Sequence, residues 1–250
     1  MSHRGDAAVA HQDSQWITQW LSTPRWEPFL RATRQDTEAA LALYEWNISV
    51  AMAFLHDAPH AEVLLRNSYN TVLERWWLGD QHWLIDPQSP VNAPLHRMRD
   101  GVRIDSNDKN RQSIAEALRR NHTKHVSSEG LVAELPFGFW RHLTDAAHEQ
   151  VLWIPALHKA FAPRTRRKEI EKHLARINRV RNRAAHNEPF ISSRRREEVL
   201  HAFRSILKVE ALLNPQLTCH TIATSTLLWT IENPPTPLEP LSDRQNSEFK

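Results

Sequence analysis

Apolar residues in this chain recur at spacings of three and four, and glycine, which would interrupt such a pattern, is nearly absent: 250 residues contain only five. Ile170, Leu174, Ile177 and Ala184 fall along one stripe at about 100° per residue. Leu65, Tyr69, Val72 and Trp76 repeat the pattern. Alternating β-branched runs are few and no internal repeat at solenoid spacing occurs, so the expected class is all-α, a helical bundle.

Capping and breaking residues divide that bundle. Asp36 or Thr37 caps a helix to about His56, Pro59 suits the first turn of a second helix ending near Gly79, and the proline-rich stretch from Asp86 to Asn107 is expected to be a long loop. A short helix surrounds Ile114 and Leu118, and Pro136 and Gly138 break the aromatic segment that follows. Thr165 caps a helix to about His186, Ser193 caps another to about Leu213, and Asn214-Pro215 ends it. A last apolar piece spans about Ile222 to Ile231. The expected organisation is a flexible N-terminus (1–20), a helical domain (21–213), an accessory helix (214–232) and a disordered, proline-rich tail (233–250).

Composition removes several functions. About two-fifths apolar content over this length supports a core without disulfides or a structural metal. The single cysteine, Cys219, excludes an intrachain disulfide and reads as a small buried apolar residue in a reducing compartment. No run of about 18 apolar residues and no hydrophobic leader is present, so the expected location is cytoplasmic, with no membrane partner. Scattered glycines leave no loop to cradle a nucleotide phosphate, and no cofactor is expected. The pairs His56/His60 and His122/His125 lack an acid or cysteine at ligand spacing, so no metal site is expected.

Charge points elsewhere. Between Arg164 and Arg204 stand thirteen Lys/Arg against five Glu, a density that suits a polyanion or a solvated helix face. Within it, Arg181 occupies the vacant position of the apolar stripe. A guanidinium there needs either an acid, such as Glu62, or an anion. Asn182 and His186 share a face displaced by roughly 100–140° from Arg181, so the three converge only if the arginine wraps round, the helix loosens before Pro189, or a second copy of the helix completes the site. An arginine to neutralise phosphate charge, an imidazole to move a proton and an amide to orient either suit metal-free phosphodiester chemistry.

Five blocks carry a resemblance: Leu21-Ser-Thr-Pro-Arg25 with Pro28-Phe-Leu30, Ala42-Leu-Tyr-Glu-Trp-Asn47, His60-Ala-Glu-Val-Leu-Leu-Arg-Asn67, Leu135-Pro-Phe-Gly-Phe-Trp140 and Arg179-Val-Arg-Asn-Arg-Ala-Ala-His-Asn-Glu-Pro189. In this order they resemble the Abi-like (abortive-infection-like) family of the HEPN superfamily, over roughly residues 20 to 213. The resemblance implies a HEPN helical core, a homodimer with facing motifs, and a metal-independent endoribonuclease acting as a toxin or antiphage effector. Arg181 and His186 match its catalytic pair and Asn182 its polar residue; Asn187 stands where many members carry a second histidine.

Arg176, Arg179, Arg183 and Asn187 flank the motif as candidate RNA contacts, and Glu62 with Arg66 as candidate braces for Arg181. Expected partners are RNA, a second copy of the chain and an antitoxin protein or RNA. The alternatives are a non-catalytic RNA-binding or adaptor protein, and a toxin silenced by its partner.

Overall fold

The computed structural model describes residues 15–120 and 128–241. Among them the elements are α1 (Gln15–Leu21), α2 (Thr23–Ala32), α3 (Thr37–Trp76), β1 (His96–Arg99), β2 (Val102–Asp105), α4 (Asp108–Arg120), α5 (Ser128–Ala133), α6 (Phe137–His142), α7 (Arg167–Ala185), α8 (Ser193–Leu213), α9 (Pro215–Thr224) and α10 (Leu227–Glu232). Short 3-10 and π turns fill Ala146–His148, Glu149–Trp153 and Leu157–Ala160. The protein is therefore mainly α, as expected. None of the described helices is long and apolar enough to cross a membrane.

The chain forms two compact units, interleaved in sequence: residues 15–55, 182–200 and 225–241 make the first, and 56–120, 128–181 and 201–224 the second. In the first, Ile17 and Leu21, four residues apart, hold α1 by burial; residues 1–14 of the expected N-terminal segment lie outside the described residues. Phe29 meets Tyr44 edge to face at 5.3 Å, and the buried Trp46 indole donates to the Thr230 carbonyl at 2.7 Å, tying α10 to α3. Residues 233–241 carry no helix or strand; Glu239 Oε2 accepts from Ser193 Oγ at 3.2 Å and its carbonyl accepts from Arg196. The rest of the expected tail, 242–250, lies outside the described residues.

The second unit is organised on α7 and the later part of α3. Ala58, Ala61, Leu65, Tyr69 and Leu73 are all buried at spacings of three and four. That stripe explains a correction: no new helix begins at Pro59, which lies inside the single helix α3. A mid-helix proline costs about 3 kcal/mol through its missing N–H, whereas each large side chain on the stripe contributes roughly 1.5–3 kcal/mol when buried. Tyr69 Oη and Thr144 Oγ1 share a buried hydrogen bond at 2.8 Å, and Arg167, 4 % exposed, donates to the Thr144 carbonyl at 3.0 Å.

The stretch expected to be a loop contains a hairpin. β1 and β2 pair antiparallel with Arg99 opposite Val102 and His96 opposite Asp105. Asp100 and Gly101 both take positive φ, 51° and 78°, as a tight two-residue turn requires. Asp105 closes the open end, accepting from the Leu95 and Asn107 amides and from Arg111. Asn214-Pro215 ends α8 and also starts α9, because Asn214 Oδ1 accepts from the Gln216 amide and Pro215 opens the helix. The apolar piece expected over about Ile222 to Ile231 is accordingly two short helices, with Ser225 Oγ accepting from the Leu227 amide at the start of the second.

Candidate functional site

The motif occupies the last turns of α7. Ile170, Leu174, Ile177, Val180 and Ala184 are buried, so Val180 fills the turn assigned from sequence to Arg181, and Arg181 lies half-buried beside the stripe. Asn182 and His186 are exposed, as their displacement from Arg181 around the helix requires.

The helix ends at the motif for a local reason. Asn187 adopts a left-handed conformation with φ 50°, the Asn187 amide donates to the Ala184 carbonyl at 3.1 Å, and the Glu188 amide reaches back to Arg183 at 3.0 Å. This is the closure that glycine or asparagine makes best after a helix. Asn187 therefore has a backbone role, which a β-branched side chain fills less readily.

Two elements of the first unit hold this turn in place. Arg25 of α2 donates to the His186 carbonyl at 3.5 Å. Asn47 of α3, fully buried, accepts from the Phe190 amide at 2.6 Å and donates to the Glu188 carbonyl at 3.4 Å. Arg183 pairs with Glu188 at 2.7 Å across the same turn. What is fixed at His186 is thus its backbone, while its imidazole stands in solvent at the carbonyl end of a helix.

In the second unit the half-buried Glu62 is the counterpart of Arg181. Burial raises the pKa of the Glu62 carboxyl; Arg181 foremost, then Arg66 and a hydrogen bond from the Phe137 backbone, pull it back down. Arg66 also donates to the Ala133 carbonyl at 3.2 Å. Glu62 thus sits in the field of Arg181 and Arg66 together. Arg25, Asn47, Glu62 and Phe137 come from four of the quoted blocks, and the fifth supplies both Glu188 to the first arrangement and Arg181 to the second.

The basic flank is partly committed within the protein. Arg167 is held by Glu149 and Glu171, Arg183 by Glu188, and Arg194 and Arg195 by Glu198. Arg179 is exposed and Arg176 half-buried. Cys219 is exposed, contrary to expectation, because it lies about 200° around α9 from the buried Thr221. His56 pairs with Asp57 at 2.9 Å and His60 Nδ1 lies 3.3 Å from Thr221 Oγ1, while His122 and His125 lie outside the described residues.

Sequence reasoning assigned no role to Arg25 or Asn47, whose partners are more than a hundred residues away. It also passed over His142-Leu-Thr-Asp145-Ala-Ala-His148, although a three-residue repeat of ligand-type side chains on helical turns is readable as a shared face. No protein-family model, no characterised protein and no solved structure matches this chain.

Proposed function

We propose that this chain is a metal-independent endoribonuclease of the HEPN type. The observation that carries the proposal is the end of α7: an exposed imidazole on a backbone clamped by Arg25 and Asn47, an exposed amide one turn earlier, and an arginine in the same helix. His186 accepts the proton of a ribose 2'-hydroxyl, whose oxygen bonds to the adjacent phosphorus as the bond from phosphorus to the 5'-oxygen breaks. The leaving oxygen takes a proton, and the products are a 2',3'-cyclic phosphate and a 5'-hydroxyl end. Arg181 offsets the charge gathering on the phosphate, and Asn182 orients the imidazole or a phosphate oxygen.

A second copy of α7 across a homodimer supplies the second histidine, as general acid, and completes the composite site. Arg176 and Arg179 extend the cationic face along the RNA backbone. Such an activity suits a toxin or abortive-infection effector restrained by an antitoxin partner.

The test is incubation of the purified full chain with total RNA in excess EDTA. Wild type degrades the RNA and His186→Ala does not, with light scattering showing a dimer. Equal behaviour of the two proteins defeats the catalytic assignment, and cleavage by a strict monomer defeats the two-copy site.

A further inference from the structure

The second unit holds a convergence of three ligand-type side chains that the proposed ribonuclease chemistry does not use. His142 closes α6, Asp145 caps the 3-10 turn Ala146–His148, and His148 ends that turn, so a spacing of three and three brings them together. One ligand atom from each lies within 4.8 Å of the others. His142 Nδ1 is 3.0 Å from Asp145 Oδ2, and His148 Nδ1 is 2.7 Å from Asp145 Oδ1.

The far side of each ring fixes its tautomer. His142 Nε2 lies 2.9 Å from the Ser106 carbonyl, an acceptor only, so this nitrogen carries the proton. His148 Nε2 lies 2.8 Å from Asn107 Oδ1. The orientation of that amide is set, because Asn107 Nδ2 donates to the carbonyls of Pro90 at 2.8 Å and Ala93 at 2.6 Å. Asn110 Nδ2 also approaches His148 Nε2, at 3.5 Å, but its two hydrogens are taken by Asn107 Oδ1 at 2.9 Å and the Val91 carbonyl at 3.3 Å. Both imidazoles therefore donate from Nε2 to an oxygen and aim Nδ1 at one carboxylate. This is the outer-shell arrangement that orients metal-ligating histidines.

His148 is fully buried. With Nε2 donating to Asn107 and Nδ1 2.7 Å from a carboxylate oxygen, the space between Nδ1 and Asp145 must hold a proton or a cation. His142 and Asp145 line a cavity of about 560 Å³ together with Lys109, Arg141 and Glu171, which gives an ion a path to the site and room for a further ligand.

We propose that His142 Nδ1, the Asp145 carboxylate and His148 Nδ1 bind one divalent transition-metal ion of the zinc class, leaving a fourth position for water or an anion. Two imidazole nitrogens and one carboxylate with an open position are a donor set that zinc accepts. Binding displaces any proton on the two Nδ1 atoms, so affinity falls as the solution is acidified.

The experiment uses the full chain, stripped with chelator, loaded with Zn2+ and desalted, with retained metal measured by mass spectrometry and the melting temperature recorded. Wild type retains one Zn2+ per chain and melts higher than the stripped protein, and Co2+ loaded in its place gives visible ligand-field bands. Asp145→Asn and His142→Gln lose the retained metal and the bands while keeping their helical circular dichroism. His60→Gln, in a separate histidine cluster that His60 forms with His56 on α3 and His220 on α9, retains both. Failure of wild type to retain Zn2+ or to show Co2+ bands overturns the proposal, as does loss of metal in His60→Gln or its persistence in Asp145→Asn. Because wild-type retention and the Co2+ spectrum need no variant, a misfolded substitution does not decide the matter.

Discussion

His186 follows the end of α7 and His148 is the last residue of a 3-10 turn, and they differ in what the protein fixes. At His186 the backbone is clamped, by Arg25 on its own carbonyl and by Asn47 on the turn beyond, and the ring is left to solvent. At His148 the ring is fixed, with Asp145 on one nitrogen and Asn107 on the other, and solvent is excluded. A clamped backbone with a free ring suits a group that must exchange protons with an incoming molecule. A ring held at both nitrogens suits a group that must not move.

The largest expected effect separates the two histidines by stability. His148→Ala strips partners from Asp145 and Asn107 in a buried setting and is expected to cost about 3 kcal/mol, each orphaned buried polar group costing about 1–3. His186→Ala, at an exposed position, should stay within about 0.5 kcal/mol. Urea denaturation of both variants measures the difference, and similar losses would break the comparison.

Next comes the clamp. Asn47→Ala leaves the Phe190 amide and the Glu188 carbonyl without their partner, an expected loss of about 1–3 kcal/mol. RNA cleavage should fall with it in protein that remains folded, because the turn carrying His186 is released. Undiminished cleavage by folded Asn47→Ala would show that the clamp does not position the ring.

The pH dependence of stability sharpens the contrast between fixed and free groups. Glu210 is fully buried and accepts from Thr221 Oγ1 at 3.0 Å; burial first, and the Asp57 charge in addition, push its pKa up to about 7 from 4.5. The folded protein therefore holds a proton there that the unfolded chain has released, and this group's contribution to stability falls as pH rises from about 4.5 to about 7. Asp145 has the opposite sign. Its pKa is depressed well below 3.8 by His142 and His148 against the cost of burial, so its contribution is present above 3.8 and is lost as pH falls further. Melting temperatures across this range should decline toward neutrality in wild type and decline less in Glu210→Gln, and an unchanged slope would contradict the assignment.

The smallest effect tests the left-handed turn. Asn187→Gly should change stability by only a few tenths of a kcal/mol, whereas Asn187→Val should lose about 1–2 kcal/mol, because a β-branched residue resists positive φ. Equal melting temperatures for the two variants would show that the turn relaxes.

The helices were legible where one apolar stripe ran unbroken. α8 matches its sequence bounds, and α7 differs by a residue or two at each end. At Pro59 a local penalty was read as a boundary, and tertiary burial on both sides of it prevailed. The Asp100-Gly101 hairpin signal was present but masked by the prolines around it. Helical phase placed Asn182 and His186 away from the buried stripe, but it assigned to Arg181 the turn that Val180 fills. Arg25, Asn47 and the ring partners of His142 and His148 did not, because those contacts join residues distant in sequence and leave no periodic trace.

The role proposed for His186 is to move a proton in metal-free RNA cleavage. The most direct measurement is end-group analysis of RNA cut by the full chain in excess EDTA, with His186→Ala alongside. Wild type is expected to leave 2',3'-cyclic phosphate and 5'-hydroxyl ends, and the variant to lose about 100-fold or more in rate, the scale of a missing general base. Ends bearing a 3'-hydroxyl and a 5'-phosphate, or undiminished cleavage by His186→Ala, would contradict that role.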